Sequence, residues 1–112
     1  MTAAHFRRLA LDLPEVAEGS HQAHPDFRFR NKIFATLGYP DALWGMVKLS
    51  PEQQIEVTCK FPSVFQPASG AWGRAGSTTV LLSEIASADL RPILRQAYDN
   101  LAGPARRPRL AR

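Results

Sequence analysis

Three side chains that can bind metal or carry protons lie within six positions of one another, namely His21, His24 and Asp26. Two imidazoles and a carboxylate form a ligand set that zinc and non-haem iron use. Ligands this close in sequence need a backbone that directs all of them to one point. A regular strand turns His21 away from the other two, whereas a turn at residues 22–23 sets the histidines opposite each other, and Pro25 then interrupts the pairing. We therefore interpret these residues as a surface hairpin and expect no metal and no cofactor.

A second stretch with a chemical signature is GAWGRAG, residues 70–76, in which glycine recurs every third residue before a strand. Loops that cradle phosphate usually precede a helix, and this stretch also lacks the lysine of a P-loop. The pattern favours tight turns, with Trp72 filling the edge of the core and Arg74 exposed beside it. The alternative is a ligand loop, in which Arg74 and free loop amides contact a ligand and Trp72, Gly73 and His24 are candidate site residues.

The single cysteine, Cys59, falls on a predicted helix one turn after Ile55. We expect both on the buried side of that helix, where a thiol is inert. One cysteine cannot form an internal disulfide, which agrees with a reducing compartment and a cytoplasmic protein. No stretch approaches the ~20 consecutive apolar residues of a membrane span, so we expect no membrane partner.

The net charge of +4 comes from the end of the chain, where residues 103–112 hold four arginines and no acid: Arg106, Arg107, Arg109 and Arg112. Subtracting these four from the fourteen lysines and arginines leaves ten, against ten acids, so the rest of the chain is formally neutral. A basic pI therefore says little about nucleic-acid binding by the domain itself.

Within the domain, the cations are more informative by position than by number. Arg28, Arg30 and Lys32 cluster on the outer face and tip of one predicted hairpin, and Lys48 falls on a neighbouring strand. A hairpin with a basic tip can lie along a groove of DNA and contact phosphates, as winged DNA-binding proteins do. The alternative is that these charges belong to an ordinary solvated face of a sheet.

Apolar periodicity and turn signals predict the order helix, four strands, helix, strand, helix. Ser50, Pro51 and Gln53 form a capping box that fixes the start of the second helix, and Arg30-Asn31 is a plausible hairpin turn. Alternation predicts that Ile33 shares a face with residues 35 and 37. The predicted helices are residues 3–13, 51–60 and 87–101, and the predicted strands are residues 18–22, 26–29, 32–37, 43–49 and 78–82.

Consecutive strands with short turns pair antiparallel, and the helices must cover one face of the sheet. The fold class is therefore α+β, a small antiparallel sheet packed against helices. We expect one domain over residues 1–102. Residues 103–112 lack apolar periodicity and are expected to be a disordered, arginine-rich tail.

Several short motifs run collinearly through the chain: GS at 19–20, HPDFR at 24–28, KIFA at 32–35, WG at 44–45 with Lys48, SPE at 50–52 and GAWG at 70–73. In this order they resemble the MmcQ/YjbR family, over about residues 5–101. The resemblance implies a compact α+β fold, described as CyaY-like or double-winged, and a DNA-binding role with no catalytic residues to transfer. The wing contacts that it implies fall on Arg28, Arg30 and Lys32, with Lys48 and Arg74 as additions.

We therefore predict a small, cytoplasmic, non-enzymatic domain that binds DNA weakly through phosphates, with strong salt dependence and little sequence discrimination. The alternative prediction is a protein-interaction or small-ligand-binding module built on the Trp72 loop and the His24 hairpin. The neutral charge of the domain favours this alternative.

Overall fold

An antiparallel sheet forms the centre of the protein, and the computed structural model describes residues 1–103 of the chain. The predicted tail falls almost entirely on residues 104–112, which lie outside the described part. Within residues 1–103 the sheet has six strands in the order β1-β2-β3-β4-β6-β5, and every neighbouring pair is antiparallel. The strands are β1 (Val16–His21), β2 (His24–Phe29), β3 (Lys32–Leu37), β4 (Trp44–Lys48), β5 (Phe65–Pro67) and β6 (Ser77–Leu81).

Four α-helices join the strands in this part of the chain: α1 (Ala3–Leu11), α2 (Pro51–Lys60), α3 (Gly70–Arg74) and α4 (Ser87–Ala102). A short 3₁₀ turn, Leu82–Glu84, precedes α4. The capping box of α2 is present, because the Ser50 hydroxyl accepts a bond of 3.1 Å from the Gln53 N–H and the Gln53 side chain accepts one of 2.9 Å from the Ser50 N–H. The predicted α+β class is confirmed.

Two elements are missing from the predicted order. The stretch predicted as a loop between α2 and the last strand contains β5, which has three residues, and α3, which has five. Neither is long enough to display a period of two or of 3.6 residues, and glycines and prolines interrupt both. The strand over residues 32–37 and the helix over residues 51–60 have the predicted bounds.

One face of the sheet holds the aromatic core, covered by α1 and α4. Phe6 of α1 packs on Phe27 of β2, with ring centroids 6.1 Å apart. Tyr98 of α4 meets the rings of Phe29 and Phe34 edge to face, at 5.2 and 5.7 Å. All five side chains are at most 4% exposed. The two helices therefore cover this face of the sheet. The strand residues that alternate with these aromatics point to the opposite face.

The second face of the sheet carries a row of buried residues that pair across four strands: Asp26, Thr36, Met46 and Thr79. Because partners in an antiparallel ladder share a face, this row is opposite the aromatic core. A β-bulge at residues 27–28 shifts the register, so that Arg28 pairs with Ile33. The shift places Ile33 on the second face, and the prediction that it shares a face with residues 35 and 37 is wrong.

Both hairpins of β1–β2–β3 turn through two residues in left-handed backbone geometry. Gln22 and Ala23 have φ of 50° and 67°, and Arg30 and Asn31 have φ of 50° and 68°. Two successive residues with positive φ are typical of a type I′ turn, whose twist matches that of the strands. The predicted Arg30-Asn31 turn is confirmed. The first turn makes His21 and the start of β2 direct partners across the ladder.

Candidate functional site

A fully buried carboxylate lies on the second face of the sheet. Asp26 is 0% exposed. Arg28 donates two hydrogen bonds to it, from Nε to Oδ1 at 2.7 Å and from Nη2 to Oδ2 at 3.0 Å. The Nδ1 of His21 lies 2.8 Å from the same Oδ2. Because an ionised carboxylate only accepts hydrogen bonds, Nδ1 is the donor in this contact. We call these three residues the Asp26 cluster.

The neighbours of the cluster are shaped to hold the guanidinium of Arg28. Gly19 stands opposite Asp26 in β1, and a Cβ there would lie 3.0 Å from the Nε of Arg28 and 3.1 Å from the carboxylate. The Ser20 carbonyl accepts a further, long bond of 3.4 Å from Nη2. Glycine at position 19 therefore leaves the room that the ion pair occupies.

The ion pair sets the charge states within the cluster. Hydrogen bonding from Arg28 lowers the pKa of Asp26 below its usual value of 3.8; burial opposes this effect and the His21 hydrogen bond adds to it. The same contact raises the pKa of Arg28. Asp26 is therefore ionised at neutral pH, and the charge of Arg28 is compensated within the protein. Of the three predicted wing contacts, Arg28 is thus the one that is paired with a fully buried carboxylate.

The histidines of the first hairpin stand opposite each other, which is the arrangement that a turn at residues 22–23 produces. Pro25 pairs with Ser20, so the prediction that it interrupts the pairing is wrong. Their rings are 6.2 Å apart, and His24 meets the ring of Tyr39 edge to face at 6.1 Å. Both oxygens of Asp26 are occupied by Arg28 and His21. Among residues 1–103 no group of three or more His, Cys, Asp and Glu side chains is arranged to hold a metal ion.

A cleft of about 180 Å³ opens on the second face beside the Asp26 cluster. We call it the Trp72 cleft, because the indole of Trp72 forms one wall and is 61% exposed. The prediction that Trp72 fills the edge of the core is wrong. The sheet supplies the other lining residues, which are His21, Ile33, Thr36, Met46, Lys48 and Ser77.

Trp72 also borders a second recess, of about 450 Å³, that extends toward the end of α4. Lys48 and Ser77 line both recesses, whereas Asn100 and Leu101 line only this one. The indole thus projects between two concave surfaces. A large apolar side chain in this position contacts whatever enters either of them.

The backbone beneath Trp72 is held by the buried side chain of Gln54, a site residue that the sequence analysis missed. Its Nε2 donates to the Gly73 carbonyl at 2.9 Å, and to the Ser77 carbonyl and Thr78 hydroxyl at 3.1 Å each. Gly73 is itself buried, and a methyl group there would overlap the carbonyl oxygen of Ala68. No signal in the sequence identifies Gln54, since glutamine on a helix usually faces water.

The remaining predicted cations lie at one end of the sheet. Antiparallel pairing brings together the β2–β3 turn with Arg30 and Lys32, the end of β4 with Lys48, and the α3 segment that ends at Arg74. The Arg30 Nε is 3.5 Å from a Glu15 oxygen, and its guanidinium lies 5.0 Å above the Phe29 ring. Lys32, Lys48 and Arg74 are exposed.

The buried side of α2 differs from the predicted one. Gln54 and Val57 face the interior, whereas Cys59 is exposed and Ile55 is 61% exposed. The prediction of an inner-face Cys59 and Ile55 is therefore wrong. The prediction used only the apolar residues of the helix. The side that packs against the protein includes a polar residue, Gln54, so the apolar residues alone indicated the wrong side.

The sequence was also compared with known proteins. A model of the YjbR family matches residues 11–100, most of the chain. The chain belongs to the YjbR family. Within the matched residues, the segment at 24–28 supplies Asp26 and Arg28 of the Asp26 cluster, and the segment at 70–73 carries Trp72. No curated protein matches the sequence.

Among solved structures, the YjbR-family chain is similar to Deinococcus radiodurans protein DR2400, whose family domain is DUF419. The TM-score is 0.75 at 19% identity, with 93% of this chain and 80% of that chain covered. At this identity the likeness establishes the fold. In residues 1–103 no helix combines the length and apolar character needed to cross a membrane.

Proposed function

We propose that this YjbR-family chain is a non-enzymatic binding module whose ligand site is the Trp72 cleft. The observation that carries the proposal is the indole of Trp72, 61% exposed beside a concave surface with a buried floor. Leaving a side chain of this size in water forgoes roughly 1.5–3 kcal/mol of burial. Exposed aromatics beside a concavity are typical of binding sites.

The rigidity of the Trp72 backbone supports a built site. Hydrogen bonds from the Gln54 amide and the close packing of Gly73 hold the backbone that carries Trp72. A preorganised wall loses little entropy when a ligand binds. A merely exposed loop tryptophan would need no such support.

The Asp26 cluster supports binding over catalysis. A histidine oriented by a carboxylate is typical of acid–base sites, but Arg28 compensates the charge of this carboxylate. In the described part of the chain, no hydroxyl or thiol side chain hydrogen-bonds to His21. The cluster therefore positions the imidazole as a wall of the cleft.

The proposal is tested by titrating the ¹⁵N-labelled full chain with benzamide, a neutral single-ring probe, in an NMR experiment. The indole N–H signals are followed together with the backbone N–H signals of Thr36, Met46 and Lys48, which line the cleft and remain measurable in Trp72→Ala. We expect benzamide to shift the Trp72 signal, and Trp72→Ala to weaken binding about fivefold, as expected for loss of one aromatic contact. Trp44→Phe is the matched control, since Trp44 lies on the same face outside the cleft. Equal weakening by both variants, or no response of Trp72, refutes the proposal.

The second candidate is weak, phosphate-directed DNA binding, which the shared location of Arg30, Lys32, Lys48 and Arg74 at one end of the sheet favours. Antiparallel pairing brings the three segments that carry these cations, namely the β2–β3 turn, the end of β4 and the end of α3, to the same end of the sheet. Arg28 contributes little to such a surface because its charge is compensated by Asp26.

Salt dependence of duplex DNA binding separates this surface from the terminal arginines. Each lost phosphate contact reduces the log–log salt slope by about 0.9, so Arg30→Ala with Lys32→Ala should reduce it by about 2. The measurement is fluorescence anisotropy on the full chain. The comparison variant carries alanine at Arg106, Arg107, Arg109 and Arg112. If only that variant loses binding, the sheet surface does not contact DNA.

A further inference from the structure

The volume of the Trp72 cleft matches a single ring. The cleft measures about 180 Å³, and an apolar cavity of about 150 Å³ holds one benzene molecule. The space thus accepts one aromatic ring with a small substituent.

The walls of the cleft suit the faces of an aromatic ring. Trp72 offers an exposed indole on one side, and Ile33 and Met46 supply apolar surface on the sheet. Indole rings stack on other aromatics, and methionine sulfur makes favourable contacts with ring edges. Both contacts favour a planar, unsaturated group over an aliphatic chain.

The charge around the cleft is positive, although residues 1–102 are formally neutral. Within residues 1–103 no salt bridge or hydrogen bond engages the ammonium group of Lys48. The nearby carboxylate of Asp26 is compensated by Arg28. Lys48 therefore remains as an uncompensated cation at the rim, which attracts an anion.

We propose that the Trp72 cleft binds a single-ring aromatic acid, with its ring between Trp72 and Met46 and its anionic group on Lys48. This inference rests on the proposed function, because it names the ligand class of the same site. His21, fixed by Asp26, closes the cleft on the side of the first hairpin.

Paired probes of equal shape test the inference in the full-length protein. Benzoate and benzamide are nearly isosteric and differ in charge, and both are followed through the Trp72 indole signal. We expect benzoate to bind about fivefold more tightly than benzamide, as expected for one solvent-accessible ion pair. Lys48→Met should remove that preference and leave benzamide binding unchanged.

Arg74→Met is the matched control, because Arg74 is an exposed cation two residues from Trp72 that does not line the cleft. It should leave both affinities unchanged. Equal affinity of the wild type for the two probes overturns the inference while the proposed function stands. Equal loss of the preference for benzoate in Lys48→Met and Arg74→Met also overturns the inference, since it shows that the preference comes from general surface charge. Absence of any Trp72 response refutes the proposed function as well.

Discussion

Gly73→Ala is expected to lower the free energy of unfolding by about 3 kcal/mol or more. The added methyl group would overlap the carbonyl oxygen of Ala68. The overlap is with backbone atoms of Ala68 and not with a flexible side chain, so it can be relieved only by movement of the backbone. The Gly73 carbonyl also accepts a 2.9 Å bond from Gln54, so displacement disturbs the support of Trp72.

The matched control for this substitution is Gly70→Ala, in the same short helix. Gly70 has φ of +71°, but an added Cβ would meet nothing within 4 Å. Its cost should be only about 1 kcal/mol, the conformational penalty of a left-handed alanine. Urea unfolding followed by circular dichroism measures both values. Similar costs for the two variants would contradict the steric account of Gly73.

Asp26→Asn is expected to lower the free energy of unfolding at pH 7 by about 2 kcal/mol. Asparagine keeps the size of the side chain, but it loses the charge and turns an amide donor toward the donors of Arg28. The remaining Arg28 is 31% exposed, so water compensates part of the loss. Asp12→Asn, at an exposed site, is the matched control and should change stability by less than about 0.5 kcal/mol.

The effect of Asp26→Asn should depend on pH in a defined direction. The pKa of Asp26 is lowered in the folded protein, so its contribution to stability is complete above the unfolded-state value of 3.8 and is lost as the pH falls through the lower folded-state value. The difference between wild type and variant should therefore shrink below about pH 4. Urea unfolding at several pH values measures it, and a difference that persists unchanged into acid would show that the ion pair is not its source.

The sequence by itself determined the fold class and the family. The Arg30-Asn31 turn specifies where β3 begins, and the capping box specifies the start of α2, because both signals depend on residues only a few positions apart. This turn could be predicted from the sequence because asparagine tolerates left-handed backbone geometry. Local interactions decide such features, so local sequence reveals them.

Only part of the candidate site could be predicted from the sequence. Trp72 was a candidate for a ligand loop and Lys48 a candidate phosphate contact, and both line one cleft, whereas the candidate His24 packs against Tyr39 and does not line it. The pairing of His21 with His24 was one of two arrangements that the sequence left open, and the turn at residues 22–23 produces it. What residue type could not reveal is whether each side chain is buried or exposed.

Tertiary structure alone decided the chemistry of the second face. His21, Asp26 and Arg28 all lie within residues 21–28, but the burial of Asp26 and its contacts with both partners depend on the turn at residues 22–23 and on the packing of the sheet. Ile33 enters the cleft because a bulge shifts the register. Gln54 supports Trp72 through bonds to residues 19 to 24 positions away. Burial, register and long-range hydrogen bonds depend on how the elements pack, and packing is a property of the whole chain.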